Sequence, residues 1–230
     1  MAGRVARLAV ARGDTTALSH QLGRLAVASL HAELATAPKP GLVTPWDSGS
    51  HDDMDAATFL RSLFALRSYF VAMAAEAGAD PDIGFAPLQQ LGIAAEQAML
   101  AATGGINTHR GAIFSLGLLV AQSSRLHALR GRPASADAVC SAVSGWSDAL
   151  LQAPLDPASH GQRMRRAHGV AGVREQAAAG YPLLREVGVP ALRDALADGL
   201  PRETAMVQAL MQLVVCVDDL NLLQRGGMAG

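Results

Sequence analysis

The chain has 230 residues, of which 50% are hydrophobic and 4% aromatic, and its formal net charge is −1. This balance excludes a strongly basic nucleic-acid surface and an acidic tail, and the apolar content favours closely packed helices over a β-sandwich. The N-terminal apolar run, Leu8–Ala11, is too short for a signal peptide or a membrane span. We therefore expect a soluble, cytoplasmic protein that binds neither nucleic acid nor membrane.

The chain reads as one helix after another, which predicts an all-α fold, a single multi-helix globular domain. Apolar positions recur about every 3.6 residues over residues 16–37, and further helices are predicted over residues 54–77, 87–102, 109–130, 135–152, 161–179 and 202–224. No segment alternates convincingly with period two. Residues 1–14 are expected to form a flexible N-terminus and residues 15–230 the single domain. Pro38 and Pro40 predict a rigid extended loop over residues 38–52.

The segment Thr-Gly-Gly-Ile-Asn-Thr-His-Arg-Gly, residues 103–111, joins two of the predicted helices. Its paired glycines are expected to end the first helix, and Asn107 or Thr108 to cap the second. The free N–H groups of a helix N-terminus form a natural anion site. Arg110 lies in the first turn, where a cation is disfavoured, and a bound nucleotide phosphate would explain its position. The alternative is an ordinary connection with a surface arginine.

Lys39 is the only lysine among nineteen Lys and Arg residues, and it lies between Pro38 and Pro40. A chain that otherwise uses arginine and keeps one lysine in a rigid loop suggests a need for a compact ammonium, as in phosphate binding. Compositional accident is the alternative.

Several acids and histidines are candidates for catalysis or metal binding. His51 beside Asp53 could supply a general base and a Mg²⁺-binding carboxylate, although helix capping explains the neighbouring polar residues. Glu33 lies near a helix C-terminus, where an acid is disfavoured, so a cationic or metal partner is plausible. Asp219 interrupts an apolar helix and must be paired, hydrated or metal-bound, unless it lies on the solvent face.

Together these segments resemble one family, the triphosphoribosyl-dephospho-coenzyme A synthases. The resemblance rests on Glu33-Leu34, Pro38-Lys39-Pro40-Gly41-Leu42-Val43, Gly49-Ser50-His51-x-Asp53-Met54, Thr103-Gly104-Gly105-x-Asn107-Thr108-His109-Arg110-Gly111, Gly172-Val173-Arg174 with Gly180-Tyr181-Pro182, and Asp219-x-Asn221-Leu222-Leu223-x-Arg225-Gly226-Gly227. It spans roughly residues 28 to 227 and is closer to the malonate decarboxylase branch than to the citrate lyase branch. Family members usually continue further, so the chain is expected to lack the family's C-terminal segment.

The resemblance implies an all-helical transferase that joins ATP to a ribose hydroxyl of 3′-dephospho-coenzyme A and releases adenine. The product is the precursor of the prosthetic group of the malonate decarboxylase (or citrate lyase) acyl carrier protein, and it would pass to the machinery that modifies that protein. Mg²⁺ is the expected cofactor, and the oligomeric state stays open, with a homodimer as one option. The alternatives are a non-catalytic nucleotide-binding helical protein and a Mg²⁺-dependent ribosyl hydrolase.

The resemblance also implies roles for individual residues. Lys39 and Arg110, with the helix N-terminus, would hold the triphosphate, and His51 or His109 would remove the hydroxyl proton or protonate adenine. The catalytic set is His51, Asp53, His109 and Asp219, and the metal set is Glu33, Asp53 and Asp219. The substrate-binding set is Lys39, Gly41, Ser50, Gly104, Gly105, Asn107, Thr108, Arg110, Gly111, Arg174, Asn221 and Arg225.

Overall fold

A computed structural model describes residues 2–152 and 172–216, with side chains from residue 16 onwards. These ranges contain helices and no strand, which confirms the all-α prediction. The chain forms two compact units, Met1–Ser135 and Ala136–Gly230. The single-domain arrangement stays a prediction.

The first unit contains five helices. They are α1 (Ala2–Ala35), α2 (Ala56–Ala65), α3 (Arg67–Ala79), α4 (Phe85–Thr103) and α5 (Arg110–Arg130). The predicted helices over 87–102 and 109–130 are confirmed within two residues at each end. The loop predicted over residues 38–52 does lie between α1 and α2, but it is not extended throughout, because the Ser50 N–H bonds back to the Gly41 carbonyl. Helix α1 begins at Ala2 and so extends through residues 2–14, because this Ala- and Arg-rich stretch contains no proline to stop it. The flexibility predicted for residues 1–14 stays a prediction.

The predicted helix over residues 54–77 is instead two helices that meet at Leu66. No proline or glycine marks this position, so the local sequence does not predict the break. Leu66 is fully buried, and Ser62, one turn earlier, directs its hydroxyl to a residue at the start of α5. We infer that tertiary packing sets the break.

The core of the first unit lies between α1, α3 and α5. Its largest fully buried side chains include Leu66, Phe70 and Met73. Two hydrogen bonds tie α3 to α5: the Tyr69 hydroxyl donates to the Ile113 carbonyl at 2.9 Å, and Ser124 Oγ donates to the Ala74 carbonyl at 2.6 Å. These contacts fix where α5 begins relative to α2 and α3.

By length and composition alone, α5 is apolar enough to cross a membrane, and it is the one such helix in the described part of the chain. Of the apolar 18-residue stretch within α5, 44% is buried inside the structure. A core helix of a soluble protein has the same character, so this helix is weak support for a membrane span.

The second unit has shorter elements. They are α6 (Ala136–Val143), a 3₁₀ turn (Ser144–Trp146), α7 (Ser147–Gln152), α8 (Val173–Ala178), a π-helical turn (Leu184–Gly188), α9 (Val189–Ala197) and α10 (Arg202–Cys216). The predicted helix over 135–152 is therefore interrupted. No helix is predicted over α9, and the structure has one there, with Pro190 in its first turn, where proline is tolerated.

Candidate active site

Lys39 is bonded to the end of α1. Its ammonium lies 2.5 Å from Oε1 of Glu33 and donates to the Glu33 backbone carbonyl at 2.6 Å. The Lys39 side chain is 3% exposed, whereas that of Glu33 is 50% exposed. The cationic partner predicted as one option for Glu33 is therefore Lys39, and this ammonium braces the loop against the C-terminal turn of α1.

The loop between α1 and α2 folds back on itself. The Ser50 N–H donates to the Gly41 carbonyl at 3.2 Å, so these two predicted substrate-binding residues lie side by side. Gly49 allows this approach, since its φ is +63° and a Cβ there would lie 2.6 Å from the Gly41 carbonyl oxygen. Only glycine satisfies both conditions without strain.

His51 and Asp53 follow this turn and remain accessible. His51 Nδ1 lies 4.0 Å from Asp53 Oδ1, with side-chain exposures of 25% and 63%. Two residues later, Asp55 caps α2 by accepting from the Thr58 N–H at 2.8 Å and the Thr58 hydroxyl at 2.7 Å, and these bonds lower the pKa of Asp55. The capping role thus belongs to Asp55, and the Asp53 carboxylate remains exposed to solvent.

The segment between α4 and α5 has the predicted glycine turn. Gly104 and Gly105 have φ values of +70° and +93° and end α4. The N-cap residue of α5 is His109, not Asn107 or Thr108, and its side chain makes no cap bond. Asn107 nevertheless satisfies the first N–H group of the helix, since its Oδ1 accepts from the Arg110 N–H at 3.1 Å. The Arg110 guanidinium pairs with the Glu96 carboxylate on α4. The sequence gives no signal for this partner, because the two residues meet only when α4 and α5 fold together.

His109, the residue just before α5, is buried against α2. Its Nδ1 lies 2.6 Å from Ser62 Oγ, and its ring meets Phe59 edge-on at a centroid distance of 4.9 Å. Its backbone N–H donates to Met99 Sδ at 3.1 Å. Burial lowers the pKa of His109 to about 4, so the ring is neutral at neutral pH. Nε2 is buried and has no hydrogen-bond partner among the described residues.

Helix α2 connects the two predicted segments. Asp55 caps its N-terminus, and Phe59 and Ser62 on one face contact His109. With a rise of about 1.5 Å per residue, Ser62 lies roughly 10 Å along the axis from Asp55. The loop that carries His51 and Asp53 and the segment that ends at His109 are thus both anchored on α2, one at its N-terminus and the other near its C-terminus.

The remaining predicted residues are distributed across both units. Gly111 lies in the first turn of α5 with open space around its Cα, and the Thr108 hydroxyl is buried without a partner among the described residues. Arg174 belongs to α8 of the second unit and is half-buried. Asp219, Asn221 and Arg225 lie outside the described residues.

The described residues do not by themselves fit a protein-held Mg²⁺. Within residues 2–152 and 172–216, no three His, Cys, Asp or Glu side chains form a group that could hold a metal. Of the predicted ligands, Glu33 is bonded to Lys39, Asp53 Oδ1 lies 4.0 Å from His51 Nδ1, and Asp219 is not described. The magnesium site stays a prediction.

Comparison with known proteins identifies the family. The model of the ATP:dephospho-CoA triphosphoribosyl transferase family matches residues 19–230. The chain belongs to this family. It is therefore an enzyme, a transferase of the triphosphoribosyl-dephospho-coenzyme A synthase type. The resemblance of its motifs to this family is confirmed.

Named relatives of this transferase family cover most of the chain. A probable 2-(5″-triphosphoribosyl)-3′-dephosphocoenzyme-A synthase from Albidiferax ferrireducens is 40% identical over 221 residues, which are 93% of this chain and 73% of the relative. The Pectobacterium atrosepticum synthase is 37% identical over 88% of this chain and 69% of its own length. A probable synthase from Acinetobacter calcoaceticus is 37% identical, covering 94% and 74%. No solved structure matches the chain.

Proposed function

We propose that this chain transfers the 5-triphosphoribosyl group of ATP to a ribose hydroxyl of 3′-dephospho-coenzyme A and releases adenine. The observation that supports this most directly is the placement of two family motifs around α2. His51 and Asp53 precede it and are accessible, whereas His109 is packed against it at the N-terminus of α5. Both motifs are thus anchored on α2, and the proposal requires that one nucleotide contact both of them.

The reaction needs a base, a carboxylate and a donor to the leaving group. The acceptor hydroxyl oxygen forms a bond to C1′ of the ATP ribose while the bond from C1′ to adenine breaks, through an oxocarbenium-like state. We assign His51 to removal of the hydroxyl proton and the exposed Asp53 carboxylate to stabilisation of the positive charge at C1′. The bond from C1′ breaks at an adenine nitrogen, and the proton that this nitrogen takes up balances the one removed from the hydroxyl, delivered from the His51 imidazolium through water.

The triphosphate passes through the reaction uncleaved. The protein must therefore neutralise its negative charge without activating any phosphate group for transfer. Arg110 and the N-terminal turn of α5 supply a guanidinium and backbone N–H groups for this purpose. Glu96 holds the guanidinium at the helix end. Lys39, predicted to share this task, is buried and bonded to Glu33, so we propose that it braces the loop instead. Mg²⁺ would then accompany the nucleotide phosphates.

The likeness of residues 41–54 to the malonate decarboxylase branch supports a place in maturation of that enzyme's acyl carrier protein. In a host that contains both enzymes, we expect deletion of the gene to leave the malonate decarboxylase carrier without its prosthetic group. Loss of the group from citrate lyase instead would reverse this assignment. Transfer of the product to the carrier-modifying machinery, a homodimer and a cytoplasmic location belong to the same proposal.

The decisive assay incubates the chain with ATP, Mg²⁺ and 3′-dephospho-coenzyme A and follows adenine and the coupled product by mass spectrometry. We expect both products together, and only when both substrates are present. Adenine without coupled product would show that water is the acceptor and that the chain is a ribosyl hydrolase. Nucleotide binding with neither product would show a non-catalytic binding protein.

Asp53→Asn tests the proposed carboxylate, with Asp52→Asn as the matched control. Both acids are exposed and adjacent, but only Asp53 belongs to the family motif. Loss of a transition-state charge partner should lower kcat on the order of 10²-fold or more, whereas Asp52→Asn should remain close to the parent chain. Equal activities in the two variants would show that Asp53 is not the carboxylate that stabilises the charge at C1′.

A further inference from the structure

The contact between Ser62 and His109 determines which nitrogen of the imidazole carries the hydrogen. Both residues are buried, at 0% and 5% exposure, and the ring has one bonded nitrogen, Nδ1, at 2.6 Å from the serine oxygen. A neutral imidazole donates through one ring nitrogen and accepts through the other. Because a serine hydroxyl can either donate or accept, the tautomer depends on where the single hydroxyl hydrogen of Ser62 goes.

Serines within helices commonly donate to the carbonyl four residues earlier. Ser29 donates to the Leu25 carbonyl at 2.9 Å in α1, and Ser123 donates to the Leu119 carbonyl at 2.7 Å in α5. Ser62 is different, because His109 Nδ1 is its one hydrogen-bond partner among the described residues. Its hydrogen therefore has a single acceptor available.

The two arrangements leave different numbers of buried polar groups unsatisfied. If Ser62 donates to Nδ1, only the Nε2–H group of His109 lacks a partner. If Nδ1–H donates to Ser62, both the serine hydrogen and Nε2 lack partners. Unsatisfied buried polar groups are unfavourable, so the first arrangement is the more stable.

We propose that Ser62 is a positioning residue that holds His109 as the Nε2–H tautomer, so that this histidine serves as a hydrogen-bond donor and not as a base. Phe59 supports the same orientation, since it lies on the same face of α2 one turn before Ser62 and contacts the ring edge-on. The buried Nε2–H group then needs an acceptor atom, and a nitrogen of the departing adenine or an oxygen of the substrate has that chemistry.

This inference rests on the proposed function and deepens it, because the sequence left His51 and His109 as equal candidates for base and acid. A donor at His109 leaves the half-exposed pair of His51 and Asp53 as the site of proton removal. The burial that lowers the pKa of His109 agrees with a neutral donor, which can approach adenine without introducing a second positive charge.

The tautomer is measured directly by long-range ¹H–¹⁵N correlation spectra of the imidazole nitrogens at neutral pH. The His109 signals are those that are missing in His109→Gln. We expect a protonated, pyrrole-like Nε2 and an unprotonated, pyridine-like Nδ1. The reverse pattern, or equal averaging of the two nitrogens, would overturn the proposal, and this spectrum of the parent chain decides it even if no serine variant folds.

Three variants at two serines separate the positioning of His109 from the stability of the chain. Ser124 is also 0% exposed and also makes one hydrogen bond, at 2.6 Å, but far along α5 from its N-terminus. Ser62→Ala should mix the two tautomers and lower kcat by about tenfold or more, and Ser62→Thr, which keeps the hydroxyl, should restore the single tautomer. Ser124→Ala should lower the melting temperature while the His109 spectrum and kcat stay unchanged.

Failure of this inference is distinguishable from failure of the proposed function. A parent chain that shows the Nε2–H tautomer but releases no adenine would refute the transfer reaction while the positioning of His109 stands. A parent chain that releases adenine and shows Nδ1–H would refute the positioning while the transfer reaction stands. An identical change of the His109 spectrum in Ser62→Ala and Ser124→Ala would overturn the specific role of Ser62.

Discussion

The buried ammonium of Lys39 lies 2.5 Å from the half-exposed carboxylate of Glu33 and also bonds to the backbone carbonyl of the same residue. One side chain thereby satisfies both a carbonyl and an acid in the last turn of α1, where a negative charge is otherwise disfavoured. The family motif around this lysine therefore contains a structural brace, and the loop that leads to His51 and Asp53 is held by it.

Lys39→Met should destabilise the chain by about 1–3 kcal/mol, because two charge-assisted bonds to the end of α1 are lost. The KM for ATP of the folded fraction should change less than about threefold, which corresponds to under 1 kcal/mol of binding. Urea unfolding and steady-state kinetics on the same samples measure the two effects. A large rise in KM with unchanged stability would show instead that Lys39 binds the triphosphate.

Arg110→Met should have the opposite effects to Lys39→Met, weakening ATP binding and leaving stability nearly unchanged. If the guanidinium holds the triphosphate, its loss should weaken ATP binding by roughly 1.5–3 kcal/mol, that is, tenfold or more, with little effect on stability because the side chain is 39% exposed. Glu96→Gln, which removes only the charge of its partner, is the control and should change ATP binding less. Isothermal titration with ATP compares the three proteins, and equal affinity in all of them would exclude the phosphate role of Arg110.

His109 makes stability depend on pH in a defined direction. In the unfolded chain, His109 is protonated with the ordinary histidine pKa of about 6.5. In the folded chain, burial lowers the pKa of His109 to about 4, so the residue takes up its proton only at more acidic pH. Because the unfolded state binds more protons between these values, stability falls as the pH is lowered from about 6.5 towards 4. The lowered pKa corresponds to a loss of up to roughly 3 kcal/mol in the free energy of unfolding as the pH falls through this interval.

Urea unfolding at several pH values tests this dependence, with His109→Gln as the reference. The variant should lose less stability than the parent chain over the same interval, whatever its stability at neutral pH. Parallel pH dependence in the two proteins would show that His109 takes up its proton as readily in the folded state as in the unfolded one.

Gly117 tests the packing that positions α5. A Cβ at this residue would overlap the Tyr69 hydroxyl, which bonds to the Ile113 carbonyl. Gly117→Ala should therefore cost about 1–3 kcal/mol through overpacking. Gly111→Ala, on the same helix with open space around it, should be neutral or stabilising by roughly 0.4–1 kcal/mol. Thermal unfolding compares them, and equal melting temperatures would contradict the described contact between α3 and α5.

Local patterns in the sequence determined most of the helices and the family. The sequence placed α4 and α5 within two residues of their ends, because an Ala-rich run favours helix and the paired glycines between them end the first helix. The two glycines and Asn107 indicated the turn before α5, since left-handed backbone and capping are properties of single residues. The motifs around Lys39, His51 and His109 identified the synthase family that the comparison confirmed.

Only the tertiary structure decided which side chains meet. The partners of Arg110 and His109 are Glu96 and Ser62, which lie on other helices and share no local spacing with them. Tertiary packing also divided the predicted helix at Leu66, where neither proline nor glycine gives a local signal. Burial and hydrogen bonding depend on residues distant in the sequence, so the motifs named His109 as a candidate, whereas packing against α2 decided its charge and its tautomer.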